Sequence, residues 1–488
     1  MPTLPARFGP TKTYFGLLLC LLAIVGFYAT YRLTESPPTW YDEGIYIQVA
    51  ESFSERGEQT IQVAPDEFKQ VDFLTIGYPL IAPVALSLTL FDDSLLAARV
   101  PMVLFIVLAA FFAWLLLYRT LGPREALLGL ALLATFPILY GNGKNVLGEV
   151  PGLFYAMLSL LALHRLQSRH FEGMGNYALL GLATGLVAAT KPVFMLVPAA
   201  IGLVLLLNIR SIPLRSKNIA AALIAFIAPL ALWMYLQFGQ VSPAAILAYY
   251  ANPYGVASIP GTMAHNLLGF LTETTPLYAA ALMSLWVLAL LIRLYRREKI
   301  SLVEQSAFAF SVLILFAYLR TAGWYRYLFQ AMVFALMFTP HSLQIVAEAV
   351  GRHLAFVRPH AARITILVVA GLAMMQFYQL NYSSWVAEYY ASTRTAKMIE
   401  YFSTYPENKS IFIYNSPAAI IFLPTKRYYQ YLQPTDAISY GSEQLHLIEE
   451  GAPDMILIAP ETYARDEALF DRYMESGMAA AYLILERK

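Results

Sequence analysis

The first 380 residues are punctuated by apolar stretches, and their succession decides what this chain can fold into. Eleven of them recur, at 13–33, 99–118, 126–140, 150–164, 177–190, 193–208, 218–237, 276–294, 302–319, 327–345 and 364–380. A helix crossing a bilayer core needs about 20 mostly apolar residues, and in that core every peptide group must be satisfied within the helix. The expected fold is therefore a mainly α-helical, polytopic membrane protein with about eleven transmembrane helices. Composition agrees. Of 488 residues, 58% are hydrophobic and 13% charged, about half the charge of an average soluble domain. A net charge of +1 offers no electrostatic footprint for nucleic acid. The single cysteine, Cys20, lies inside the first stretch, which excludes disulfides and cysteine-rich metal centres. No small-residue cleavage site follows that stretch, so it reads as a retained signal anchor.

Sidedness follows from Lys and Arg, which accumulate in short cytoplasmic loops. Alternate loops carry 16 of them, from Arg7 and Lys12 through Arg293, Arg296, Arg297 and Lys299 to Arg352, Arg358 and Arg363. Residues 34–98 hold 11 acids against Arg56, Lys69 and the boundary residue Arg99. The expectation is a cytoplasmic N-terminus, an outer first loop (34–98) and an outer C-terminus, in a bacterial or archaeal inner membrane. Residues 78–91 are apolar but only fourteen long with two prolines, which fits a helix on or dipping into the outer surface. The membrane unit ends near residue 380. Residues 381–488 read as an extracytoplasmic α/β domain, with strands at 409–415, 455–460 and 481–486 and helical patterns at 386–403 and 461–476.

Charges at membrane depth are costly and usually functional, and here they gather at the outer boundaries. Asp42 and Glu43 follow the first span between Tyr41 and Tyr46. Lys144 and Glu149 lie in the turn GNGKNVLGEVP, Lys191 in ATKPVF, and Arg320 and Arg326 around RTAGWYRYLF, which also holds Trp324 and Tyr325. Carboxylates can serve as general base or hold a divalent cation, while Lys and Arg can receive an anionic leaving group such as phosphate. Together they suggest transfer from a lipid-linked phosphate donor. Adjacent residues on a helix point about 100° apart, so Asp42 and Glu43 do not aim at one atom. One faces the reaction while the other orients it, binds backbone or helps hold a metal. Each residue also has a plainer role open to it. Asp42 can be an N-cap, Glu149 a first-turn acid beside Pro151, Lys191 a snorkelling anchor and Arg326 a partner of interfacial aromatics. The outer segment 238–275 adds Tyr249, Tyr250, Tyr254 and His265, which can stack on sugar faces or form an interfacial belt.

The order and sidedness of YDEGIYIQVA, GYPLIAPVALSLTLFDDSLLAARVP, NVLGEVP, GLATGLVAATKP and WYRYLFQAMVF resemble the polytopic GT-C glycosyltransferases. They are most similar to the branch of protein O-mannosyltransferases and the lipid A aminoarabinose transferase. The resemblance implies a polyprenyl-phosphate sugar donor, an inverting single displacement onto an extracytoplasmic protein, lipid or glycan, and a divalent metal ion as an open question. It makes Asp42 the base, Glu43 its companion and Glu149 a second acid, these three being the ligands if a metal binds. Lys191, Arg326, Arg320, Lys144 and Lys69 become candidates for the donor phosphate. Relatives often carry a lysine and two prolines where this chain has Ile76-Gly77-Tyr78-Pro79, so Lys69, Lys191 or an arginine must substitute. A lipid-linked glycan transporter would need a polar path through the spans. A non-catalytic scaffold or sensor would leave the acidic pair dispensable.

Overall fold

The computed structural model describes residues 12–73, 76–213, 215–239, 241–252, 255–354, 358–406, 408–435 and 438–488. Every expected span coincides with helix. They are α1 (Lys12–Thr30), then, after α2 (Tyr41–Arg56) and α3 (Tyr78–Leu90) of the outer loop, α4 (Leu95–Thr120), α5 (Pro123–Ala134) with α6 (Pro137–Gly143), α7 (Glu149–Ser168), α8 (Met174–Thr190), α9 (Leu196–Leu207) and α10 (Ser216–Phe238). After α11 (Pro243–Ala251) and α12 (Ile259–Thr272) the series resumes with α13 (Thr274–Tyr295), α14 (Leu302–Leu319), α15 (Phe329–Val350) and α16 (Ala361–Tyr378). Among the described residues seven helices are long and apolar enough to cross a membrane alone, and eight if α5 and α6 count as one bent span. The bend of 62° has a local cause. Pro137 lacks an N–H and disfavours helical backbone in the residue before it, and Phe136 is accordingly extended, with φ −79° and ψ 109°. Outward the bundle presents large apolar side chains such as Leu207, Ile224, Leu291 and Leu367, the surface that lipid would solvate.

Glycine sets the tightest helix contact. On Gly181 a Cβ would lie 2.0 Å from the Ala222 carbonyl, and on Gly185 one would lie 2.5 Å from that of Phe226. This four-residue spacing in GLATG brings α8 and α10 together at backbone distance. Helix α3 has thirteen residues, about 20 Å, shorter than a bilayer core. It buries Leu80, Ile81, Val84 and Leu88 and leaves Leu86, Leu90 and Phe91 exposed. Ahead of it a β-hairpin not expected from the sequence, β1 (Thr60–Ala64) and β2 (Glu67–Gln70), completes the first loop.

The C-terminal region begins with α17 (Trp385–Glu388) and α18 (Arg394–Ser403), then builds a six-stranded sheet. Its strands are β3 (Ile411–Tyr414), β4 (Tyr428–Thr435), β5 (Ile438–Tyr440), β6 (Met455–Ile458), β7 (Tyr473–Ala479) and β8 (Tyr482–Arg487), in the order β5-β4-β3-β6-β8-β7. β4, β3 and β6 run parallel, and the outer strands are antiparallel. IFIY and MILI are buried at every position, as central strands covered on both faces must be. The helical reading of 461–476 holds only to Phe470; β7 begins at Tyr473, where pairing with β8 overrides local pattern.

This region leans on the first loop. A Cβ on Gly44 of α2 would lie 2.3 Å from the Ala418 nitrogen, so only glycine lets that backbone approach. Gln430 donates to Gln48 at 2.8 Å, and Tyr440 to the Asp72 carbonyl at 2.7 Å. The Glu35 carboxylate accepts from the backbone N–H groups of Thr395 and Ala396, each at 3.1 Å, at the start of α18, where a helix favours negative charge.

Candidate active site

The acidic pair divides its labour. Glu43 is wholly buried and fully engaged. Arg99 grips it with two parallel bonds, Nε to Oε1 at 2.8 Å and Nη2 to Oε2 at 2.7 Å. Asn145 Nδ2 and the Val146 N–H add bonds at 2.9 and 3.0 Å, and the Trp40 N–H one at 3.3 Å. Arg99 also donates to the carbonyls of Leu33 and Pro37. Glu43 is thus a clamp joining α2, α4 and the turn before α7. The N-cap expected of Asp42 is corrected. The helix starts two residues earlier, with Trp40 at the cap position, and it is Glu43 that receives the Trp40 N–H.

Asp42, freed of capping, is partly exposed and takes the Arg326 Nη1–H on Oδ2 at 2.8 Å. Arg326 lies among the rings of Trp40, Trp324 and Tyr327, at 5.0–5.6 Å from their centroids. Burial works against its charge, but Asp42 first, then Tyr327 and Glu149, hold its pKa above the ordinary arginine value. Glu149, wholly buried at the start of α7, accepts the Lys191 ammonium on Oε1 at 2.5 Å. Local sequence explains that meeting. Pro192 forces Lys191 into extended backbone, φ −158° and ψ 140°, so α8 stops there and the side chain leaves the helix path. Gly148 makes room, since a Cβ on it would meet Lys191 Cδ at 3.0 Å. The same Cβ would meet Ile76 Cγ2 at 3.3 Å, so Lys191 lies beside the segment where relatives carry their lysine.

Asp42–Arg326 and Glu149–Lys191 are therefore two ion pairs whose inner members, Arg326 and Glu149, act on each other electrostatically, giving a row of alternating charges. Beside it a cavity of about 250 Å³ is lined by Lys191, Arg320, Tyr249, Tyr250, Tyr318 and Tyr327, with an apolar wall that includes Val193, Leu196, Ile259 and Ala317. Arg320 donates to the Ala251 carbonyl at 2.8 Å, tying α14 to α11. Burial first, then Tyr327 and Asp42, raise the Tyr249 phenol above its usual range. Tyr41 donates to Asn415 at 2.6 Å, and burial followed by Asp42 raises its pKa, so it stays a neutral phenol.

Other expected site residues lie elsewhere. Lys69 is a surface residue of β2 paired with Glu67 and Glu443. Lys144 is buried and donates to the carbonyls of Tyr31 and Ser36 at 2.7 and 3.0 Å; burial, then Arg99, pushes its pKa down to about 7. Both are absent from the lining of the 250 Å³ cavity. Tyr325 donates to Glu273 at 2.6 Å, Trp324 flanks Arg326, Tyr46 is buried in α2, His265 is exposed on α12, and Tyr254 lies outside the described residues. Sequence reasoning missed Arg99 and Asn145, though a lone arginine at the outer boundary of an acidic loop was a legible signal.

Asp42, Glu43 and Glu149 do not converge as a metal-ligand set. Among the described residues the one trio of close carboxylates is Glu51, Glu55 and Asp93, and Lys426 already sits among them, 2.6, 2.5 and 3.6 Å from their oxygens.

The dolichyl-phosphate-mannose-protein mannosyltransferase family model matches residues 79–235. No curated protein sequence matches the chain. Among solved structures, ArnT from Cupriavidus metallidurans in the apo state superposes with a TM-score of 0.65 at 13% identity, over 97% of this chain and 98% of that one. The same protein bound to undecaprenyl phosphate gives 0.63 at 13%, with the same coverage. The Archaeoglobus fulgidus oligosaccharyltransferase in its apo form gives 0.54 at 12%, over 97% and 74%. The chain is built on the fold of the polytopic GT-C glycosyltransferases and resembles the branch that includes the O-mannosyltransferases and the aminoarabinose transferase.

Proposed function

We propose that this protein is a membrane glycosyltransferase that moves one sugar from a polyprenyl-phosphate carrier to an extracytoplasmic protein, lipid or glycan acceptor. The observation that carries the reading is the row Asp42–Arg326–Glu149–Lys191 beside a cavity with cationic and apolar walls. Cations at one end of an apolar groove suit a lipid whose headgroup is a phosphate ester. The ArnT likeness in its carrier-bound form supports the same donor class.

In this mechanism the phosphate sits against Lys191 and Arg320, with the prenyl chain along Val193, Leu196 and Ile259. The acceptor hydroxyl or amine approaches from the opposite face of the sugar and gives its proton to Asp42. Arg326 holds Oδ2, which aims the other oxygen at the incoming nucleophile. The new bond forms at the anomeric carbon as the bond to phosphate oxygen breaks, so one displacement inverts the configuration. The leaving phosphate keeps the bonding pair and is met by the ammonium and guanidinium groups. A positioned base is worth about 10²–10⁴-fold in rate. Residues 1–380 form the catalytic membrane unit, with the N-terminus cytoplasmic. Residues 381–488 are an outer domain whose grip on α2 keeps Asp42 in place.

The test is a screen of labelled polyprenyl-phosphate sugars with membranes containing the protein. Transfer or tight binding of at least one donor is expected. If none is bound or consumed, and bare polyprenyl phosphate does not bind either, the reading is wrong.

A further inference from the structure

One buried polar side chain at the start of α15, the helix that follows Arg326, is used by nothing described so far. Gln330, in the first turn of α15, is completely buried, and neither its Nε2 nor its Oε1 has a hydrogen-bond partner. Such groups are rare in folded proteins and call for a reason. Two further buried orphans belong to the charged row itself, Glu149 Oε2 and Arg326 Nε.

Packing shows where Gln330 lies. Four residues on, Phe334 shares its helix face one turn deeper, about 6 Å along the axis. Phe334 meets Phe310 of α14 edge-on at 5.6 Å, and Phe310 stacks on Phe194 at 6.2 Å. Phe194 fills the hollow over Gly152, where a Cβ would lie 2.0 Å from its ring. These rings form a floor across four elements. One turn above the floor, Phe194 leads to Lys191, Gly152 to Glu149, and Phe334 to Gln330. Lys191 and Glu149 touch at that level, so Gln330 brings its amide to the same storey. Its neighbour Phe329 turns away, stacking on Phe136 at 6.4 Å.

The three orphans together offer a carboxylate oxygen that accepts, a guanidinium N–H that donates, and an amide that does both. A phosphate suits this set poorly, because the carboxylate repels it. A neutral polyol suits it well, since each hydroxyl both donates and accepts. We infer that Glu149 Oε2, Arg326 Nε and the Gln330 amide form the subsite for the ring hydroxyls of the transferred sugar, with Gln330 as its specificity residue. The inference rests on the transferase reading and deepens it, separating a sugar subsite from the Lys191–Arg320 phosphate subsite.

The test uses the purified full-length chain and the affinities of undecaprenyl phosphate alone and of undecaprenyl-phosphate mannose, glucose and galactose. The wild-type protein should bind at least one glycosylated carrier about 10-fold or more tighter than the bare one. Gln330→Met, close in shape but without the amide, should lose that preference while keeping the bare carrier's affinity and the Tm. Gln330→Asn should fall between. The inference is overturned if Gln330→Met keeps the preference, if it weakens both carriers alike, or if the wild-type protein shows no preference. Failure of the wild-type protein to bind even the bare carrier would instead remove the transferase reading, and this subsite with it.

Discussion

At the scale of residues, Asp42 and Glu43 are neighbours whose substitution should fail in different ways. Asp42→Asn keeps shape but removes the base, so transfer should fall about 10²–10⁴-fold with little change in Tm. An unchanged turnover would sink Asp42 as the base. Glu43→Gln leaves the Arg99 guanidinium buried without a counter-charge, and uncoupling a pair this deeply buried costs about 3–5 kcal/mol. Thermal unfolding in detergent should show it as a large drop in Tm; a normal Tm with lost activity would return Glu43 to the chemistry. Lys144 gives a pH signature. Its folded pKa of about 7 lies below the ordinary 10.5, so between those values the unfolded chain holds more protons. Stability then rises with pH across that window, and below about pH 7 the full penalty of a buried ammonium remains. Lys144→Met should flatten this rise in a Tm series from pH 7 to 10, and an unchanged slope would assign it elsewhere.

At the scale of elements, the site is held by stops and hollows in the backbone. Pro192 ends α8 so that Lys191 can reach Glu149, and Gly148 leaves its stem room. Helix α2 is pinned at one face by Arg99 and at another by the C-terminal region, which approaches Gly44 at backbone distance. Gly44→Val should therefore push Pro417 and Ala418 away. Residues 381–488 are then expected to become sensitive to limited proteolysis, and donor turnover to fall while the protein stays in the membrane. Wild-type resistance of that region in the variant would mean that it does not brace α2.

At the scale of the whole molecule, sidedness is testable apart from chemistry. With Cys20 replaced by Ala, Glu58→Cys should react with a membrane-impermeant maleimide in intact cells, and Lys299→Cys only after permeabilisation. The reverse pattern would turn the molecule over. Much of this level was legible in residue order. Apolar period and length placed helix at each of the eleven expected stretches, because inside a bilayer a span must satisfy its own peptide groups. Among the described residues, however, only seven helices, or eight with α5 and α6 as one bent span, are long and apolar enough to cross a membrane alone. Prolines and short polar turns marked where they stop. The clustering of Asp42, Glu149, Lys191 and Arg326 at one end was also legible, since charges at membrane depth are few and costly. What sequence order could not assign was which acid is locked in a buried brace and which stays partly exposed. Asp42 and Glu43 are chemically near-equivalent and adjacent; only Arg99, 56 residues away, together with Asn145 and Val146, buries one and leaves the other partly exposed and paired with Arg326. Lys144 and Lys191 read alike as outer-boundary cations, yet one meets carbonyls and the other a carboxylate. Gln330 carried no signal at all, because a glutamine in a helix is ordinary until its neighbours prove to be apolar. Local physics depends on spacing and is written in the chain, whereas the partner of a buried charge comes from distant elements and is decided only when they pack.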